Sequence, residues 1–103
     1  MARLLELSDE ALDDFDRMVN WQTQSGSGTV ARRRVRRIRA AIMRLKRNPC
    51  LYPACDQPGV RGIPADGGHR VFYTVIPDTG RSSTAGDVTI LRIFGPGQFR
   101  ESL

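Results

Sequence analysis

Apolar positions recur at helical spacing over two long stretches of the chain and at strand spacing over several short ones. Arg3 to Leu7 is a leucine-rich run that stops at Ser8 and reads as a short strand. Ser8 is a favoured helix N-cap, and Asp9 and Glu10 complement the dipole in the first turn. Leu12, Phe15, Met18, Val19 and Gln22 then fall on one side, with Asp13, Asp14 and Arg17 opposite, which predicts an amphipathic helix from Asp9 to Gln24. The Ser25-Gly26-Ser27-Gly28 run ends it. A second helix starts near Thr29, carries Val35, Ile38, Ile42 and Leu45 on one stripe, and stops at Asn48-Pro49. A short connection between two long helices predicts an antiparallel hairpin.

Beyond Pro49 the pattern changes. Cys50 to Gly59 reads as a loop. Val60 to Ile63 is a strand ended by Pro64, and Ala65-Asp66-Gly67-Gly68 is turn chemistry. Arg70 to Ile76 (RVFYTVI) and Asp87 to Phe94 (DVTILRIF) are dense in β-branched and aromatic residues and read as hairpin partners. Both carry apolar residues on both faces, which places them centrally, under the helices. Gly95-Pro96-Gly97 breaks the last strand. The expected architecture is α+β: a two-helix hairpin packed on a mostly antiparallel sheet of about four strands, in the order β-α-α-β-β-β. Its 103 residues are expected to form a single domain, 1–103.

Charge adds a further feature. The chain has a net charge of +5 and a pI near 10.2. Nine of its sixteen basic residues lie in the second helix, 29–48, which has no acid; the remainder holds seven basic against eleven acidic residues, a net of −4. Two readings are open. The helices neutralise each other across the hairpin, or some arginines form a docking face for an anionic partner. Arg33 and Arg37, with Trp21 late in the first helix, are the candidate partner contacts on the helices.

Several chemistries are excluded by pattern. There is no phosphate-binding G-x-x-x-x-G-K-[ST] and no G-x-S-x-G. With one histidine and two cysteines, Cys50 and Cys55, no metal site is expected. No cofactor is expected either. The cysteines read as reduced thiols of a cytoplasmic protein, and no segment is long and apolar enough for a membrane span. What remains is a basic set on the strands: Arg61, Arg70 and Arg92, each suited to clamp a phosphate. Arg61 and Arg70 could equally sit in water or pair with Asp66 or Asp87. Arg92 interrupts the apolar run Ile90-Leu91-Arg92-Ile93-Phe94 and must therefore reach solvent, a partner or a ligand. His69, after two glycines, is expected in an exposed turn, and Tyr73 in the core.

These pieces fall in a recognisable order. Leu45-Lys46-Arg47-Asn48-Pro49 (L-x-x-x-P) closes the helical hairpin. Val60-Arg61-Gly62-Ile63 follows, then Arg70-Val71-Phe72-Tyr73-Thr74-Val75 (R-x-x-Y-x-V) and Ile90-Leu91-Arg92-Ile93. With Leu7-Ser8-Asp9-Glu10-Ala11 at the start of the first helix, the chain resembles the ParE/RelE superfamily of toxins from type II toxin–antitoxin systems over nearly its whole length. The resemblance implies a cognate antitoxin and a hetero-oligomeric toxin–antitoxin complex. It implies DNA gyrase as target if the chain is ParE-like, and mRNA cleavage on the ribosome if RelE-like. RelE-like toxins place a Tyr or His just after the last strand, whereas Phe94 to Phe99 here contains neither. The long hairpin also resembles ParE. The expectation is thus a gyrase-inhibiting toxin that catalyses no reaction itself. The alternatives are an endoribonuclease using Arg61, His69 and Arg92, and a basic nucleic-acid-binding domain.

Overall fold

A computed structural model describes residues 3–22, 28–64 and 69–95, without the side chains of Trp21, Gln22 and Pro64. Strand β1 (Leu5–Leu7) leads into helix α1 (Asp9–Gln22), then α2 (Gly28–Arg44), β2 (Arg61–Pro64), β3 (Arg70–Ile76) and β4 (Asp87–Phe94). The expected end of the first helix, the inter-helix turn and the Ala65–Gly68 turn lie outside the described residues, apart from Gly28, which opens α2.

The four strands run in the order β1-β4-β3-β2. β2–β3 and β3–β4 are antiparallel, and β1 adds to β4 in parallel, so the sheet is mixed. A parallel neighbour requires a crossover, and the helical hairpin belongs to the connection that supplies it. The β3–β4 connection closes tightly: Gly86 N donates to Pro77 O at 2.8 Å. A Cβ at Gly86 would collide with the Ile76 carbonyl, so only glycine fits. Arg3 ties this corner to the hairpin by donating to the carbonyls of Ser82, Ala85, Gly86 and Lys46.

Ser8 caps α1 as expected, its Oγ accepting from Ala11 N at 3.1 Å. On α2 the stripe Val35, Ile38 and Ile42 is buried, and Leu45 joins it just past the helix end. There the chain tightens into i→i−3 hydrogen bonds from Leu45, Lys46 and Arg47 before Pro49. These side chains meet Val71, Tyr73, Val75, Val88, Ile90 and Ile93 in the main core.

One expectation needs correction. Leu12 is 48% exposed and Asp14 only 5% exposed, so the inward line of α1 is Ala11, Asp14, Phe15 and Met18 rather than one through Leu12. The helices cover one face of the central strands, as expected. A separate cluster of Val60, Phe72 and Phe94, with Cys55 and Leu91 against it, fills the second face.

Candidate functional site

Strand register decides which arginines share a face. Consecutive residues of a strand project to opposite faces, and directly paired residues to the same one. Arg61 pairs with Tyr73, in the row that faces the main core. Arg92 pairs with Phe72, in the next row, which belongs to the second cluster. A bulge between Phe72 and Tyr73 takes up Leu91 without altering this. Arg61 and Arg92 therefore stand on opposite faces. Arg70 pairs with Phe94 and shares the Arg92 face. It is exposed, at the rim of a shallow pocket of about 220 Å³ lined also by Pro53, Ala54, Cys55, Gly62, Ile63 and Phe72.

Arg61 and Arg92 are each held by a carboxylate. Arg61 makes a two-pronged pair with Asp78, at 2.8 and 3.0 Å, and donates to Tyr52 O at 2.6 Å. The hydrogen bond to Asp78 raises the Arg61 pKa. Its partner among the described residues is thus Asp78, just beyond β3, rather than Asp87, and Asp66 lies outside those residues. Arg92 makes an equivalent fork with Asp14 of α1, at 2.8 and 3.1 Å, and its guanidinium lies 4.5 Å from the centre of the Phe94 ring. The Asp14 hydrogen bond raises the Arg92 pKa as well. The same Asp14 carboxylate accepts from Ile93 N at 2.9 Å.

Asp14 is the residue that sequence reasoning missed. β1 covers the edge of β4 only as far as Ile90. Beyond that point α1 takes over: Ser8 Oγ donates to Leu91 O, and Asp14 accepts from Ile93 N. One acid thus satisfies a buried edge amide and neutralises the arginine that interrupts the strand. The signal was present, since Arg92 needed a partner and Asp14 lies i+3 from Ala11 and i−4 from Met18.

His69 is only 8% exposed, not in an exposed turn. Tyr73 is fully buried and donates its hydroxyl to Pro49 O at 2.8 Å; burial pushes its pKa up to about 12. Cys50 and Cys55 are free thiols. Among the described residues no group of three or more His, Cys, Asp or Glu could hold a metal ion, and no helix is long and apolar enough to cross a membrane.

The Arg61–Asp78 pair carries a pH prediction. Its hydrogen bond holds the Asp78 carboxyl at about 2, below the roughly 3.9 of a free aspartate. Its stabilisation is therefore complete above about pH 4 and lost as pH falls towards 2. The Asp78 side chain is 29% exposed, so solvent screening limits the effect to about 1 kcal/mol. Asp78→Asn should flatten this part of the acid-unfolding curve; identical curves for variant and parent between about pH 4 and 2 would contradict it.

On the helical side, α1 and α2 leave an open groove of about 330 Å³. Its apolar floor is Phe15, Val19 and Val35, and its rim is Arg32, Arg36 and Arg39. Of the two helical arginines singled out from sequence, Arg33 and Arg37 are exposed on α2 but do not line this groove. Trp21 falls within α1, and its side chain lies outside the described residues. The rim was legible as 32, 36 and 39, an i, i+4, i+7 line flanking the buried stripe.

The family model for the ParE toxin of the type II toxin–antitoxin system parDE matches residues 5–95. No curated protein matches the sequence. Among solved structures, the chromosomal ParDE TA system from P. aeruginosa shares the fold, with a TM-score of 0.68, 17% identity, and coverage of 92% of this chain and 97% of that one. With nearly the whole described chain inside the family match, this protein belongs to the ParE family of type II toxins.

Proposed function

We propose that this toxin arrests growth by inhibiting DNA gyrase, and that a cognate antitoxin neutralises it by laying an acidic amphipathic segment in the α1–α2 groove. The observation that carries the target is the disposition of the strand arginines. Cleavage through an RNA 2′-hydroxyl needs a base, an acid and cations converging on one phosphate. Arg61 and Arg92 instead stand on opposite faces, each forked onto a carboxylate, and His69 is buried. This favours a toxin that acts by binding over one that acts as a ribonuclease. The groove supports the antitoxin site: an apolar floor anchors a helix face, and a line of arginines along α2 selects acidic flanks.

The test is gyrase supercoiling with purified toxin. Micromolar toxin should inhibit supercoiling, and equimolar antitoxin should restore it. Unimpaired supercoiling, with cleavage of ribosome-bound mRNA, would overturn the target. In the same system, reversing the rim with R32E, R36E and R39E should slow antitoxin association about tenfold at low salt, and the difference should shrink as salt screens it. An unchanged association rate would remove the groove from the antitoxin site.

A further inference from the structure

Helix α2 presents a second basic line, separate from the groove. Its buried residues are Ala31, Val35, Ile38 and Ile42. At 100° per residue, Arg33, Arg37, Ala40 and Arg44 form an i, i+4, i+7, i+11 row on the side diametrically opposite. All four are exposed, and Arg47 is exposed in the turn that follows. The row spans about 16 Å between Arg33 and Arg44.

This line has a local cost. Arg33 has like-charged neighbours at i+3 and i+4, Arg36 and Arg37, and α2 has no acid in its first turn. Like charges at that spacing weaken a helix. An external anion that binds the row offsets this repulsion.

The composition of the row selects the anion. A protein partner seats its anchors, arginine among them, in well-packed, desolvated pockets at the centre of the contact. The groove has an apolar floor to form one, whereas the outer row has nothing larger than Ala40 between its arginines. Unstacked single strands need aromatic platforms, which the row also lacks. Between Arg33 and Arg44 there is no Ser, Thr, Asn or Gln to read an RNA 2′-hydroxyl. What a straight line of charge alone fits is the phosphate backbone of duplex DNA. We infer that the outer face of α2 is a sequence-independent binding surface for duplex DNA, built on Arg33, Arg37 and Arg44. It goes beyond the gyrase and antitoxin reading and does not depend on it.

The test uses the full chain and a fluorescein-labelled DNA duplex of arbitrary sequence, followed by anisotropy across a potassium chloride series. About three phosphate contacts predict a slope of roughly −3 for log K against log salt. R33E and R44E should each reduce the slope by about 1 and weaken binding several-fold. R81E, an equal charge change in the β3–β4 connection, should leave the slope unchanged. Circular dichroism melts confirm that each variant is folded. Equal losses in all three variants would reduce the effect to net charge and overturn the site. So would absence of duplex binding, or stronger binding to polyglutamate, which would point to an acidic protein. An RNA duplex that competes better than DNA would overturn the assignment to DNA.

Discussion

Asp14→Ala should destabilise the protein by about 3 kcal/mol, read as a lower urea midpoint at unchanged slope. Removing the Asp14 carboxylate strips the partner from Arg92, whose side chain is 28% exposed, and orphans the buried Ile93 amide at the uncovered edge of β4. Breaking a largely buried pair while leaving one charge behind is among the more damaging single changes, and an unsatisfied buried amide adds to it. Asp14→Asn keeps an acceptor for Ile93 but removes the charge opposite Arg92, so it should fall between parent and alanine. Arg92→Met, which removes the stranded cation, should partly rescue Asp14→Ala. If Asp14→Ala matches the parent within about 0.5 kcal/mol, the junction is not held as described.

Tyr73→Ala should cost about 4 kcal/mol, the range for deleting a fully buried large side chain. Tyr73→Phe isolates the hydroxyl. It leaves Pro49 O without its 2.8 Å donor and should cost about 1 kcal/mol. A further signature comes from alkaline pH. Burial raises the Tyr73 pKa to about 12, so this contribution is complete below about pH 10 and lost as pH rises from about 10 towards 12. The parent should lose stability over that window and Tyr73→Phe should lose less. Parallel alkaline curves for the two would show that the hydroxyl is not buried as described.

Tyr73 also explains what the family motifs do in this chain. The L-x-x-x-P motif supplies Leu45, fully buried, and Pro49, whose carbonyl meets Tyr73 of R-x-x-Y-x-V. These motifs touch one another and lock the end of α2 to the centre of the sheet. In this chain they are a packing solution, and the chemistry of a target has to be read elsewhere.

That division explains what was legible in the sequence. Element order, the α2 stripe and the β3–β4 hairpin follow from local periodicity, and they stand as read. The phase of α1 did not, because the pattern assigns every acid to the solvent side, whereas Asp14 meets Arg92 and Ile93 across a separation of 78 to 79 residues. The Arg61 partner stayed open for a similar reason. Asp66 and Asp87 bound the neighbouring strands, but a carboxylate at Asp78 depends on how the chain turns after Ile76. The groove lies between: its arginines were visible, but only the packing of α1 against α2 shows which of them flank Phe15 and Val19.

A toxin directed at gyrase, as proposed, stops replication before translation. After induced expression, thymidine and methionine incorporation are pulse-labelled in parallel. The account predicts that thymidine incorporation falls first while methionine incorporation continues, and that co-expressed antitoxin restores growth. Methionine incorporation falling first would contradict it.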